Sequence, residues 1–146
     1  MKQINPWILV MLALAGLTLS ACGPKATTAE KEPPYRLEDI EGVDFKRVTL
    51  TEKAAERLDI QTGTVSMTDV DGNEVKMVPY AAVLYGLNGE TWVYTNPESL
   101  VYVRDVIVVD HIDDDMAILE EGPEAGTPVV TVGVSLLYGA EVGVSK

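Results

Sequence analysis

The chain has 146 residues, a formal net charge of −12 at neutral pH and a single cysteine. A chain this acidic is a poor candidate for binding nucleic acid or an anionic membrane face through a basic patch, so we expect no nucleic-acid partner. One cysteine cannot form an internal disulfide, and no His, Asp or Glu in the twenty residues before it offers a metal site.

The first 21 residues have the order of an export signal. Lys2 supplies a positive start, Trp7–Leu19 an apolar core, and Ser20-Ala21 the small residues that precede a cleavage site. The order Leu-Ser-Ala-Cys resembles a bacterial lipobox, which implies lipid attachment to the Cys22 thiol and cleavage just before it. An uncleaved anchor is the alternative, but the uncharged stretch is short where about 20 apolar residues are wanted.

These features predict a lipoprotein with three parts. Residues 1–21 are the signal peptide, and removing them leaves 146 − 21 = 125 residues, which suits one domain. Residues 22–36 are small, charged and proline-bearing, so we predict a flexible tether, followed by a folded domain at residues 37–146. The predicted location is extracytoplasmic, on the outer face of the cytoplasmic membrane or on the outer membrane if the host has two.

A short helix is predicted near residues 51–58. Leu50, Ala54 and Leu58 are spaced to give one apolar stripe, and Thr49 with Glu52 has the spacing of a capping box. After Ile60 the helical periodicity stops, so we expect no further helix.

Six β-rich pieces follow, separated by residues that favour turns. Their bounds are 60–68, 75–85, 91–94, 100–109, 117–119 and 129–134. Asp71-Gly72 and Asn88-Gly89 readily adopt the positive φ that tight hairpins need. The sequence therefore predicts a mainly β fold, a small antiparallel β-barrel or sandwich with one short helix near its start.

Two of these strands show where they should pack. Trp92 and Tyr94 share one face, which favours packing in the core over a ligand platform. Residues 100–109 are mostly apolar on both faces, as expected of a central strand that is covered on both sides over part of its length.

Few side chains offer chemistry. The sole histidine, His111, lies in an acidic turn, where a solvated side chain is favoured over a catalytic one. Asp110 and Asp113–Asp115 could gather a cation such as Ca²⁺, although a hydrated turn is the alternative we favour. An EF-hand beginning at Asp69 fails, because position twelve would be Tyr80. We predict no enzyme, no catalytic residue, no cofactor and no metal site.

Met67 and Met77 flank the predicted Asp71-Gly72 hairpin. A three-residue loop would make the two thioethers cross-strand neighbours, whereas a two-residue loop would place them on opposite faces. Two thioethers without a third soft ligand make a poor copper site, so core packing is the favoured interpretation.

Four stretches occur in a fixed order along the domain: LTEKAAERLDIQTGTVS, VPYAAVLYGLNGETWVYTN, LVYVRDVIV and LEEGPEAGTPVVTVGVSLLYGAE. Their order and spacing resemble the C-terminal region of periplasmic adaptor proteins, the membrane fusion proteins of efflux pumps. Matching positions include Pro79, Trp92, Arg104 and Gly133. The resemblance covers Leu50 to Glu141 and implies the β-barrel and membrane-proximal portions, which in that family pack on a transporter.

The chain also departs from that family. Only the tether and a short lead-in stand where an adaptor has a lipoyl-like domain and an α-helical hairpin, and no heptad pattern is present. The resemblance therefore implies docking and leaves tunnel formation without support. Gly23 follows Cys22, where Asp would be the familiar inner-membrane retention signal of two-membrane bacteria.

Two functions of different classes remain open. The first is a lipid-anchored, non-catalytic docking or accessory module for a membrane transporter, an efflux system or another envelope protein. The second is a surface lipoprotein that binds a ligand or a cation. Arg104, on the arginine-bearing strand of the resemblance, is the predicted partner-binding residue, and a salt bridge to a carboxylate is its alternative.

Overall fold

The structure is a computed structural model that describes residues 32–143. In this range the chain forms ten strands, two α-helices and one 3-10 turn: β1 Tyr35–Asp39, β2 Lys46–Leu50, α1 Glu52–Leu58, β3 Gln61–Thr64, β4 Ser66–Val70, β5 Asn73–Pro79, the 3-10 turn Tyr80–Ala82, β6 Leu84–Tyr85, β7 Thr91–Glu98, β8 Val101–Asp113, β9 Met116–Glu121, β10 Pro128–Val132 and α2 Val134–Glu141. All strand pairs among these elements are antiparallel, which confirms the predicted mainly β class.

The strands form a sheet that curls into a half-barrel. Its main path runs in the order β3, β10, β7, β8, β9, β5, β4. Because β3 and β4 follow each other along the chain with only Val65 between them, the two ends of this path are drawn toward each other. The β1–β2 hairpin joins at the start of β8, and β6 pairs with β7.

Strand β7 separates two hydrophobic clusters. Its neighbouring residues Val93 and Tyr94 point to opposite faces, and both are fully buried. The cluster around Tyr94 lies between the sheet and the two helices and includes Val48, Leu50, Ala54, Tyr102, Val130, Val134 and Leu137. The cluster around Val93 draws residues from strands β5, β7, β8, β9 and β10 and from the 3-10 turn, and it includes Val65, Val78, Ala82, Ile107, Ala117, Leu119 and Val129.

Helix α1 is present, but the predicted capping box is wrong. The N-cap is Thr51, whose side chain accepts a hydrogen bond from the Ala54 N–H at 3.3 Å. Thr49 cannot cap the helix because it lies in β2, where it pairs with Val101. The helix ends at Asp59, which adopts a left-handed conformation with φ of 49°.

Several elements differ from the sequence prediction. A second helix, α2, follows β10, and β1 and β2 add a hairpin before α1. The predicted tether lies mostly outside the described residues, and its last two residues, Tyr35 and Arg36, begin β1. The predicted strand 60–68 divides at Val65, and the predicted strand 75–85 is interrupted by the 3-10 turn.

The β4–β5 hairpin decides between the two arrangements of the methionines. Val70 pairs with Asn73, so the loop has the two residues Asp71 and Gly72, with φ of 55° and 84°. Met77 pairs with Ser66, so that Met67, one residue along, points to the opposite face. The two thioethers therefore do not converge on one site.

Candidate interaction edge on strand β8

The two halves of β8 have different numbers of strand partners. Over Val101–Ile107 the strand pairs with β7, and the Thr91 hydroxyl donates to the Ile107 carbonyl oxygen at 2.7 Å at the end of this ladder. On the opposite edge β2 pairs with Val101 and Tyr102, and β9 pairs from Val108 to Asp113. Within the described part of the chain, no strand pairs with the β7-side edge beyond Ile107, so residues 108–113 have one open edge.

A groove of about 590 Å³ runs beside this open edge. Residues 106–112 of β8 line its length, and the β6–β7 hairpin closes one end with Tyr85, Gly89, Glu90 and Thr91. The hairpin stops here because Gly89, with φ of 91°, turns the chain back and the Gly86 N–H donates to the Glu90 carbonyl oxygen. Because β7 begins only at Thr91, opposite Ile107, the edge of β8 beyond Ile107 is open and the hairpin before Thr91 shapes the groove.

Large apolar side chains are exposed around the groove. Leu87, at the tip of the β6–β7 hairpin, is fully exposed, and Tyr85 and Val106 are each about half exposed. Val108 and Ile112 are also exposed, on the open half of β8. Single exposed apolar residues are ordinary on protein surfaces, whereas a group of them beside one groove is typical of an interaction site.

The groove also carries negative charge. Hydrogen bonds from its own backbone N–H and from the Asn88 side chain lower the pKa of Glu90, so this carboxylate stays ionised beside the hairpin. Asp110 lies in the lining and its carboxylate is 2.8 Å from the Nδ1 atom of His111. The groove thus combines apolar side chains with the carboxylates of Glu90 and Asp110.

Arg104, the predicted partner-binding residue, lies on the covered half of β8. Its side chain is only 8% exposed and forms a salt bridge of 2.7 Å with Glu141, the last residue of α2. The guanidinium also lies against the rings of Phe45, Trp92 and Tyr138, with its central carbon 4.3, 4.8 and 5.3 Å from their centroids. The partner-binding role of Arg104 stays a prediction, and the structure shows the residue in the salt bridge that was its alternative.

Glu141 is fully engaged by its neighbours. Its Oε1 atom accepts from Arg104 and from the Lys46 backbone N–H at 3.1 Å, and its Oε2 atom accepts from the Tyr94 hydroxyl at 2.5 Å. Burial and this hydrogen bond raise the pKa of Tyr94 far above its ordinary value. The arrangement ties α2 to the sheet, and sequence analysis missed it because Glu141 is 37 residues from Arg104.

His111 and the neighbouring aspartates, which the sequence offered only as the less favoured cation site, lie at one end of the β8–β9 hairpin. His111 contacts Asp110, and Asp113–Asp115 form the end of the β8–β9 hairpin, with Asp114 at a φ of 49°. In residues 32–143 no group of three or more His, Cys, Asp or Glu side chains converges as metal binding requires. Cys22 and the signal-like segment lie outside the described residues.

Comparisons with family models, with curated proteins and with solved structures found no match. None of the helices in the described range is both long and apolar enough to cross a membrane.

Proposed function

We propose that this chain is a lipid-anchored, non-catalytic envelope protein that acts as a docking or accessory module for a membrane transporter or efflux system. Cys22 is the proposed lipid attachment site, supported by the lipobox-like order of residues 19–22. The observation that carries the docking proposal is the group of exposed apolar side chains beside the open edge of β8.

The apolar group supports contact with another macromolecule for a physical reason. Each exposed apolar side chain left in water forgoes about 25 cal/mol for every Å² that burial would remove from solvent. Tyr85 and Val106 line one groove, and Leu87 lies at the tip of the hairpin that closes one end of it, so one partner surface can cover all three together. The proposed function therefore places the partner at the β6–β7 hairpin and the adjoining part of β8.

A photo-crosslinking amino acid at Leu87 tests this proposal in the native membrane. We expect the Leu87 variant to form a covalent adduct with a membrane transporter subunit, identified by mass spectrometry. The same amino acid at Val43, which is half exposed in the β1–β2 loop, serves as the matched control and should give no such adduct. Equal capture of the same proteins from both positions would contradict docking at this surface.

The lipid anchor needs a separate test. Cys22→Ser should leave a larger precursor that carries no acyl chains, as measured by the intact mass of the purified protein. Release of the wild-type protein as an unmodified soluble chain would contradict the anchor.

A second candidate function, binding of a small apolar ligand, is favoured by a different cavity. A groove of about 460 Å³ lies between α1 and α2, with Leu50, Ala54, Leu58 and Leu136 in its lining and Arg57 also present. An environment-sensitive apolar dye added to the full chain should brighten if this groove binds ligands, and Leu136→Trp, at an exposed position of the lining, should weaken the signal by filling the space. An unchanged dye spectrum would remove this candidate.

A further inference from the structure

We propose that the open edge of β8 receives an extended, basic segment of a partner protein as an added antiparallel or parallel strand. This inference rests on the proposed docking function and adds the mode of binding and the chemistry of the partner. The four observations that carry it are the unpaired length of β8, the groove beside it, the apolar side chains around it and the charge of the surrounding surface.

The length of the open edge suits strand addition. Residues 108–113 offer six positions, and the commonest strands in proteins have about five or six residues. Backbone N–H and C=O groups on an exposed edge are a template for another strand, and peptide recognition through such edges draws its affinity from main-chain hydrogen bonds. β9 holds the opposite edge in regular register from His111 to Asp113, so this part of the template is fixed before a partner arrives, whereas bulges between Val108 and His111 bend the strand.

The groove offers space for an added strand, and the hairpin at its end limits the length of that strand. Its volume of about 590 Å³ lies directly along residues 106–112, and the β6–β7 hairpin blocks further extension toward the paired half of β8. Alternate side chains of an incoming strand would meet exposed apolar groups such as Val108 and Tyr85. The site thus favours a partner segment with apolar residues at alternate positions.

The negative charge of this surface favours basic residues at the remaining positions of the partner segment. Between residues 105 and 121 the chain contains no lysine or arginine and seven carboxylates, of which Asp110 lines the groove and Asp113–Asp115 follow at the end of the open half of β8. The ionised Glu90 stands at the end of the groove. A segment carrying lysine or arginine would be attracted to this surface, whereas a second copy of the chain would bring an equal set of carboxylates against it. The occupant that fits is therefore a basic segment of another protein.

Hydrogen exchange with a defined peptide tests the proposal on the full chain in detergent micelles. The probe is a seven-residue peptide in which lysine and valine alternate. At saturation we expect amide exchange within residues 108–112 to slow by about tenfold or more, with no comparable change in β4, which is the edge strand at the end of the sheet path. A matched peptide with alternate N-methylated residues keeps the charge but removes backbone donors, and it should give no protection.

Charge reversals on the protein provide the second arm. Asp110→Lys combined with Asp113→Lys should weaken peptide binding by about tenfold or more. Glu52→Lys combined with Glu56→Lys makes the same change in net charge on exposed sites of α1 outside the groove lining and should leave binding within about threefold. A peptide of alternating glutamate and valine should not bind the unaltered chain.

Several results would overturn strand addition. These are equal protection by the N-methylated peptide, protection at β4 instead of β8, or equal weakening by both double charge reversals. Self-association that protects residues 108–112 without any peptide would assign the edge to a second copy. If Leu87 still crosslinks to a transporter subunit while the peptide gives no protection, strand addition fails and docking stands. If the peptide protects the edge but Leu87 and Val43 capture the same proteins, the transporter-docking function fails.

Discussion

The two halves of β8 are both rich in apolar residues, but they differ in the number of strands that pair with them. Val101–Ile107 pairs with β7 along one edge, and its Arg104 is buried in a salt bridge with Glu141 of the C-terminal helix, although Val106, at the groove, stays half exposed. Val108–Asp113 pairs with β9 alone and keeps apolar and acidic side chains exposed. Alternation of apolar residues identifies a strand, whereas the positions at which the neighbouring strands begin and end decide which part of it is buried. We therefore expect substitutions to affect stability in the covered half and interactions in the open half.

The largest expected effect is that of Glu141→Ala. It leaves the Arg104 charge buried without its partner, and breaking a buried ion pair in this way costs about 3–5 kcal/mol of unfolding free energy. Chemical denaturation of the full chain measures this loss. Replacing both charges, as Arg104→Met with Glu141→Leu, should recover only part of it, because no charge is left unpaired but the Tyr94 hydroxyl and the Lys46 N–H still lose their acceptor. A single substitution costing under about 1 kcal/mol would contradict the structural importance of the covered half.

The start of α2 gives the next effect, from Gly133→Ala. Gly133 has a φ of 90°, and an added Cβ would collide with the Ile60 side chain, so backbone strain and crowding together should cost about 2–4 kcal/mol. Gly126→Ala is the matched control, since Gly126 has the same φ of 90° and open space around it. Thermal denaturation should show the larger loss at Gly133, and equal losses would mean that the contact with Ile60 contributes nothing.

Tyr94→Phe tests the hydrogen bond from the Tyr94 hydroxyl to Glu141, the last residue of α2. Loss of a hydrogen bond to a buried carboxylate should cost about 1.5–3 kcal/mol, measured by urea denaturation at neutral pH. Because burial and Glu141 raise the pKa of Tyr94, the unfolded chain releases this proton near pH 10 while the folded chain retains it. The contribution of Tyr94 to stability should therefore be constant below about pH 10 and fall as the pH rises above it.

The loss of stability at alkaline pH can be checked with the same variant. Tyr94→Phe removes the titrating hydroxyl, so the variant should lose stability less steeply above about pH 10 than the unaltered chain. Some slope should remain, because burial also raises the pKa of Tyr102. An identical slope in both proteins would show that Tyr94 does not carry the effect.

The smallest effect is expected from the open half. Val108→Thr changes a side chain on the open edge and should alter the unfolding free energy by no more than about 0.5 kcal/mol. The same substitution at Val93, which is fully buried on β7, introduces a hydroxyl into the core and should cost about 1–3 kcal/mol. Equal costs at the two positions would remove the difference between covered and open surroundings.

Local chemistry in the sequence explains which parts of the fold could be predicted. Asp71-Gly72 favours a two-residue hairpin by its φ preferences, and Trp92 with Tyr94 shares a face because side chains alternate along a strand. Such features depend on neighbours in the chain. The class of the fold and the core position of Tyr94 follow from them.

The missed features depend on residues far apart in the chain. Helix α2 has no side-chain cap at Gly133 and contains Gly139, so its local sequence gives a weak helical signal that packing overrides. The polar composition of β1 resembles a tether, although its pairing with β2 makes it a strand. The local sequence does not reveal the Arg104–Glu141 contact, because that contact needs α2 in place. It does not reveal the open edge of β8 either, because that edge depends on where β7 begins.

The contacts of Glu141 also set an order of events during synthesis. Arg104 is made 37 residues before the carboxylate that neutralises it, and the Lys46 amide that Glu141 accepts from is made 95 residues before it. At about 5–20 residues per second, a ribosome needs about 2–7 s to cross the shorter interval, during which Arg104 has no buried partner. Contacts this distant in sequence form late in folding, so the proposed exported chain should stay open until α2 has also crossed the membrane.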